Sequence, residues 1–296
     1  MPTVTRKRAR IFPLDLGAFS CRMNDQGGSV KVSKIIQSFS LLVIVGVVLS
    51  IGCAGQTDQG IEATWPDLSG YWAMVQVMVA TADLPIVGNI LIDTTVGALT
   101  HITQSGSSLI LRDRYCFTDA DPSTFLFRTN IADVTLQSIQ PKPRVAELIL
   151  DDCDIRFNQD WYREIRGAIL EDPENDPLPI DPEDSRLIDL EGDEHPGMTI
   201  QAAILGVFRG EGYAVQRYRY RLEGTVFDAN TIIGFIDWTS EQTVVSATNS
   251  LFMESFSDGT DPDPTKHRFV MIRIDEAWTC ETLRDQLPRL LKLLDF

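Results

Sequence analysis

Histidine is scarce in this 296-residue chain: three positions, His101, His195 and His267, each alone in the sequence. There is no Gly-x-Ser-x-Gly elbow, no His-Glu-x-x-His, no phosphate-binding glycine loop and no Cys-x-x-Cys. The local signatures of serine hydrolases, zinc proteases, P-loop enzymes and thiol oxidoreductases are therefore missing. Hydrolysis by two carboxylates needs no such signature, so that enzyme class stays open. Basic residues are the second shortage, with 26 Lys and Arg against 42 Asp and Glu and a net charge of −16. A surface of that sign repels polyanions, which argues against nucleic acid as a partner. A third absence is an apolar stretch of the about 20 residues that a membrane-spanning helix needs. The run Leu41 to Leu49 stops short, and Gln37, Ser38 and Ser40 block its extension backward.

That run has the layout of a secretory leader: Lys31 and Lys34, then apolar residues, then small ones. It closes as Leu49-Ser50-Ile51-Gly52-Cys53. The ending resembles the lipobox of bacterial lipoproteins, with Ser50 where that family prefers Leu. The resemblance implies a signal peptide over 1–52, read from Met1 or from Met23, and lipidation of Cys53. Residues 53–64 then form a lipidated tether. It further implies export and a membrane-held anchor in the cell envelope, at the outer membrane because Ala54, not Asp, follows the cysteine. A stable anchor takes more than one acyl chain, and the triacyl group of that family supplies it.

The first 52 residues hold seven Lys and Arg and two acids, so the remainder carries 19 basic and 40 acidic residues, net −21. Such a surface attracts cations. Residues 65–296 suffice for one domain with a sizeable core. Beyond Cys53 the remaining cysteines are Cys116, Cys153 and Cys280. An oxidising compartment predicts a disulfide. A bridge that includes Cys116 is expected, with Cys153 as partner or with Cys280, which would tie the C-terminal tail to the barrel.

From Leu68 onward the pattern is β. Ala73 to Val79, Leu109 to Leu111, Val145 to Leu150 and Thr231 to Ile236 are short runs of branched and aromatic residues. Turn residues punctuate them, among them Ser105-Gly106-Ser107 and Asp228-Ala229-Asn230. Gly210-Glu211-Gly212 reads as a further hairpin turn. Phe269 to Asp275 alternates, with Val270, Ile272 and Ile274 on one side and Arg273 and Asp275 on the other. About nine to eleven strands at hairpin spacing predict a mainly β fold, an antiparallel β-barrel or sandwich. Two segments read as helical. One is Asp160 to Leu170; the other is the tail, with Leu283, Leu287, Leu290, Leu291 and Leu294 at helical spacing. Pro288 predicts a kink there, or two short helices. Gly70-Tyr71-Trp72 heads the first strand and resembles the Gly-x-Trp signature of lipocalins. That likeness implies a lipocalin-like barrel whose glycine opens strand one and whose tryptophan plugs the closed end.

Two features are candidates for binding. Between Glu171 and Glu194, 11 of 24 residues are Asp or Glu, and four prolines oppose regular structure, marking an acidic insertion over 171–196. Asp189, Glu191 and Asp193 alternate there as oxygen ligands for a hard cation such as calcium do. Glu194 and Ile200 stand where an EF-hand has its glycine and closing Glu, and the competing expectation is a solvated acidic loop. In Arg217-Tyr218-Arg219-Tyr220-Arg221, period two puts Arg217, Arg219 and Arg221 on one face. Facing a cavity they would bind an anion or sugar; facing solvent they would pair with surplus carboxylates. Together these readings predict a lipid-anchored, non-enzymatic envelope protein that binds a ligand or a partner protein with a β-barrel-like domain. A calcium-ordered structural or adhesive surface module is the alternative, and a carboxylate-dependent hydrolase stands third.

Overall fold

A computed structural model describes residues 65–84, 87–152, 154–253 and 259–295. The expected signal peptide, Cys53, the tether and Cys153 lie outside the described residues. Eleven strands and two helices follow in chain order. The first strands are β1 (Gly70–Leu84), β2 (Gly88–Ser105), β3 (Ser108–Pro122) and β4 (Phe127–Asn130), then helix α1 (Asp133–Ser138). Next come β5 (Arg144–Asp151), β6 (Asp154–Arg166), β7 (Met198–Ile204), β8 (Phe208–Asp228) and β9 (Thr231–Ala247). The chain ends with β10 (Gly259–Thr260), β11 (Arg268–Ile274) and α2 (Cys280–Leu291).

Eight strands close a ring through antiparallel ladders, in the order β1-β2-β3-β5-β6-β8-β9-β11 and back to β1. The expected antiparallel barrel is present, and it is a partial one. β3 pairs β5 over only four residues, Ser108 to Leu111 against Arg144 to Glu147. Above Leu111 the wall between β3 and β6 has no ladder among the described residues. Leu136 of α1 and Phe127 of β4 fill the space with buried side chains.

Period-two alternation decides which side chains face in. Trp72, Met74 and Met78 of β1 point into the ring, while Ala73 and Val75 point out. The outward pair is buried nonetheless, because α2 lies against it with Leu283 and Leu290. Burying each of those leucines contributes roughly 1.5–3 kcal/mol, and Leu283→Ala would cost about 2–5 kcal/mol. Thr279 caps α2 by accepting from Thr282 N at 3.2 Å. The tail is one helix and not two: α2 runs through Pro288 to Leu291 and passes into a 3-10 turn, Lys292–Leu294. Pro288 removes a single N–H in the last turns, and the leucine stripe outweighs that loss.

On β11, Val270, Ile272 and Ile274 share the outer cluster under α2, and Phe269 and Met271 face inward, as the alternation predicts. Gly70 opens β1, and Trp72 is wholly buried inside the ring. Trp72 Nε1 donates to Leu68 O at 2.9 Å, and the Arg273 guanidinium stands 4.9 Å above the ring.

Two expectations fail. Asp160 to Arg166 is strand, not helix, because Tyr162, Glu164 and Arg166 alternate inward along β6 after a bulge at Gln159. Gly210-Glu211-Gly212 is no turn; it lies within β8, and the chain reverses earlier, at Leu205 to Val207. The glycines are there for contact: a Cβ on Gly210 would lie 2.6 Å from the Phe252 ring.

A second bulge fixes the disulfide. The β2–β3 register shifts between Gly97 and Ala98, so Cys116 and Phe117 both bury beneath α2. Cys116 bridges Cys280, the first residue of α2, at a sequence separation of 164. A crosslink over so long a loop typically contributes about 2–4 kcal/mol. For a domain of this size, Cys116→Ala/Cys280→Ala should lower the melting temperature by roughly 5–15 °C. Thiol counting on denatured protein that begins at Cys53 checks the bridge itself; if Cys116, Cys153 and Cys280 are all free, it does not exist.

Candidate functional site

Inside the ring, toward the end opposite Trp72, is a cavity of about 190 Å³. Its wall is mostly apolar: Met78 from β1, Ile92 and Val96 from β2, Phe127 from β4, Leu136 from α1 and Trp238 from β9. Gln76, Arg166, Gln216 and Ser240 form its polar floor, and a second polar layer lies beneath it, the two set apart by the alternation of β1. Met74 marks the lower layer and Gln76 the upper.

In the lower layer Arg144 pairs with Asp113, both side chains essentially without exposure. Nε donates to Oδ2 at 2.6 Å and Nη2 to Oδ1 at 2.9 Å, a bidentate contact. Thr100 Oγ1 donates to the same carboxylate at 2.7 Å, and Arg144 Nη1 donates to Gln159 Oε1. Burial opposes the charge on Arg144, but the Asp113 carboxylate outweighs it and holds the guanidinium protonated beyond its ordinary range.

In the upper layer Arg166 Nε donates to Glu164 Oε1 at 2.6 Å. Nη1 donates to Gln216 Oε1 at 3.0 Å, and Gln216 Nε2 in turn donates to Ser240 Oγ at 3.0 Å. Tyr115 OH donates to Glu164 Oε2 at 3.3 Å. The guanidinium sits between the rings of Tyr115 and Tyr218, 5.4 and 5.0 Å from their centroids. Burial works against the Arg166 charge as well, and Glu164 again prevails. Nη2 of Arg166 has no acceptor among the described residues, and Gln76 Oε1, also on the cavity wall, has no donor. Both carboxylates are fully engaged by Arg, Tyr or Thr donors, so neither stands free as a general acid or base. The arrangement holds polar groups still beside an apolar space, which suits binding.

The predicted site residues lie elsewhere. Arg217, Arg219 and Arg221 face outward from β8, and Tyr218 and Tyr220 face in. Arg217 pairs with Glu241 and donates to Pro173 O, and Arg221 pairs with Asp237 and Glu223. Arg219 stacks 4.3 Å over Trp161. Arg217 and Arg221 therefore pair with surface carboxylates, and Arg217 braces the acidic insertion. The insertion leaves at Gly167 (φ +80°) and returns at Gly197 (φ +107°). A Cβ on Gly167 would lie 2.9 Å from the Gly197 Cα, so only glycine lets the two strands of the neck touch. Leu170 and Leu178 anchor the loop on Tyr213, Val215 and Val245.

Asp189, Glu191 and Asp193 bring carboxylate oxygens within 4.8 Å of one another. Five of the six oxygens already accept from the loop's own N–H groups or from Thr199 of β7. Asp189 takes the N–H groups of Gly192, Asp193 and Glu194, and Glu191 takes Thr199 N. Asp193 takes His195 N and Thr199 Oγ1. Burial pushes the Asp189 carboxyl up, but those three backbone donors outweigh it and hold it below the usual carboxylate range. The histidines do not converge. His101 stacks beside Tyr71, His195 lies on Tyr213, and His267 accepts at Nδ1 from Trp238 Nε1 and Val79 N, both at 3.2 Å.

The sequence reading missed both interior ion pairs. The tyrosine face of the Arg-Tyr repeat was a signal for the interior, and the helical reading of 160–170 hid Glu164 and Arg166. Comparison with family models, with curated proteins and with solved structures finds no match.

All six tyrosines are held above their ordinary value, four of them chiefly by burial inside the ring: Tyr115, Tyr162, Tyr218 and Tyr220. Burial also raises Tyr213, and a hydrogen bond to Glu276 raises Tyr71. A raised acid favours its neutral form in the fold, so this stability is complete below about pH 10 and lost as pH climbs through the folded values. Phenolate absorbance from Tyr115, Tyr162, Tyr218 and Tyr220 should therefore appear together with unfolding. Ionisation of these four near pH 10 in intact protein would mean the interior is open to water.

The acidic loop has the opposite sign. Arg186 hydrogen-bonds Asp184 and holds its carboxyl at about 2, and Asp189 is depressed too. Their contribution is complete above about pH 4 and fades as pH falls through the folded values. Asp189→Ala should speed amide exchange at Gly192, Asp193 and Glu194, equally with and without calcium. Exchange slowed by calcium in the wild type would show that a cation, not the loop's own donors, orders the segment.

Proposed function

We propose that this protein is a lipid-anchored envelope protein that binds a small molecule within its partial β-barrel and performs no chemistry on it. The observation that carries this reading is the cavity. It joins an apolar wall to a fixed polar floor in which Arg166 Nη2 and Gln76 Oε1 are left without partners. An eight-stranded ring is wide enough for one small ligand, and ligand sites combine apolar lining with a few convergent polar groups. The lipobox-like ending at Cys53 supports the anchor.

Two measurements test the proposal. Cells fed an alkyne fatty acid should label the wild type and not Cys53→Ala, which should leave the membrane fraction. An unlabelled wild type whose variant localises unchanged removes the anchor. Native mass spectrometry of protein taken from the envelope should find a bound small molecule. Ala120→Phe, which fills the cavity wall without touching either ion pair, should lose it. If both proteins are empty and neither binds any member of a fragment library, the binding reading is wrong.

A further inference from the structure

The charges inside the ring are matched one to one: Arg144 by Asp113 and Arg166 by Glu164. Arg166 and Glu164 are nearly sealed from solvent, with side-chain exposures of 10% and 6%. A ligand that reaches Arg166 Nη2 therefore meets a guanidinium whose charge Glu164 has already neutralised through Nε. An arriving carboxylate would add an uncompensated negative charge to a desolvated space, which is costly. The net charge of −16 on the whole chain adds a field that opposes anion entry. A neutral group with a lone pair has neither difficulty, and it satisfies the unpartnered Nη2. If it also carries a donor, Gln76 Oε1 accepts it.

Size narrows the class further. At about 190 Å³ the cavity lies near the ~150 Å³ of an apolar cavity that holds benzene. It falls below the ~300 Å³ at which drug-sized pockets begin.

We propose that the cavity selects a small neutral molecule, an amide or alcohol on a short apolar body, over the carboxylate of the same shape. Glu164 is the residue that sets this selection. The inference rests on the ligand-binding reading and goes beyond it by fixing the charge of the ligand.

The test uses matched pairs, benzamide against benzoate and hexanol against hexanoate, titrated calorimetrically into the purified protein at neutral pH. The neutral member of each pair should bind about tenfold tighter or better. Glu164→Gln keeps the shape and, with its amide oxygen toward Arg166, the acceptor for Nε, while its NH2 faces the Tyr115 hydroxyl oxygen; Arg166 is left unmatched, so the preference should shrink or reverse. Circular dichroism and melting of Glu164→Gln establish that it is folded, and the wild-type comparison stands without it. Carboxylates binding the wild type as well as their neutral partners overturn the proposal and leave the cavity reading intact. A folded Glu164→Gln with unchanged preference removes the role of Glu164. Silence from both members of every pair overturns this proposal, and the native mass spectrometry above then decides the cavity reading.

Discussion

Two arginine–carboxylate pairs occupy the inside of the ring, where a barrel this narrow is ordinarily packed with side chains that need no partners. Desolvating an ion pair can cost more than its attraction returns, and well-packed apolar replacements are often no less stable. Breaking one partner away is another matter, at about 3–5 kcal/mol. The pairs sit where the backbone ladder is weakest. β3 and β5 share four residue pairs, and Arg144 on β5 reaches both Asp113 on β3 and Gln159 on β6. Above that, Tyr115 on β3 donates to Glu164 on β6 across the unladdered gap. Side-chain hydrogen bonds thus do at this seam what backbone hydrogen bonds do around the rest of the ring. The same bonds fix the polar floor, so the device that closes the wall also shapes the cavity.

The fold was legible because its signals are local. Period-two runs and turn residues marked β1, β5, β9 and β11, and the hairpin turns at Gly106 and Ala229 fall where glycine, asparagine and aspartate placed them. The leucine stripe announced α2, and the outlier cysteine pair came down to Cys280 only once the bulge at Gly97 turned Cys116 outward. The site was not legible. Its groups come from β1, β3, β6, β8 and β9, and no spacing in one strand says that Arg166 will meet Gln216 or that Tyr115 will meet Glu164. Charged residues in a strand also look like a solvated face. Glu164 and Arg166 broke that rule, and reading their segment as a helix removed the alternation that would have placed them inside.

The acidic insertion is held by contacts that its composition does not announce. It reads as a solvated or calcium-ordered loop, and it is braced from three sides. Arg217 holds it through Pro173 O, Leu170 and Leu178 bury on the outer face of β8 and β9, and Asp189 caps its final turn. Glu194 takes a left-handed conformation there (φ +71°), a position in which a non-glycine residue carries strain. The backbone N–H that Glu194 gives to Asp189 Oδ2 at 2.8 Å helps hold it.

The remaining wall of the cavity depends on the outer layer. Leu136 of α1 lines the cavity, and Asp133 of the same helix accepts from Arg284 Nη2 at 2.9 Å. Arg284 belongs to α2 and also binds Asp119 on β3, with its guanidinium 4.2 Å over the Phe117 ring. Gln137 of α1 donates to Cys116 O at 2.9 Å, and Cys116 is bonded to Cys280 at the start of α2. A six-residue helix is too short to hold itself in water. Its position is imposed by a chain of contacts that begins at the disulfide and ends at the apolar side of the cavity.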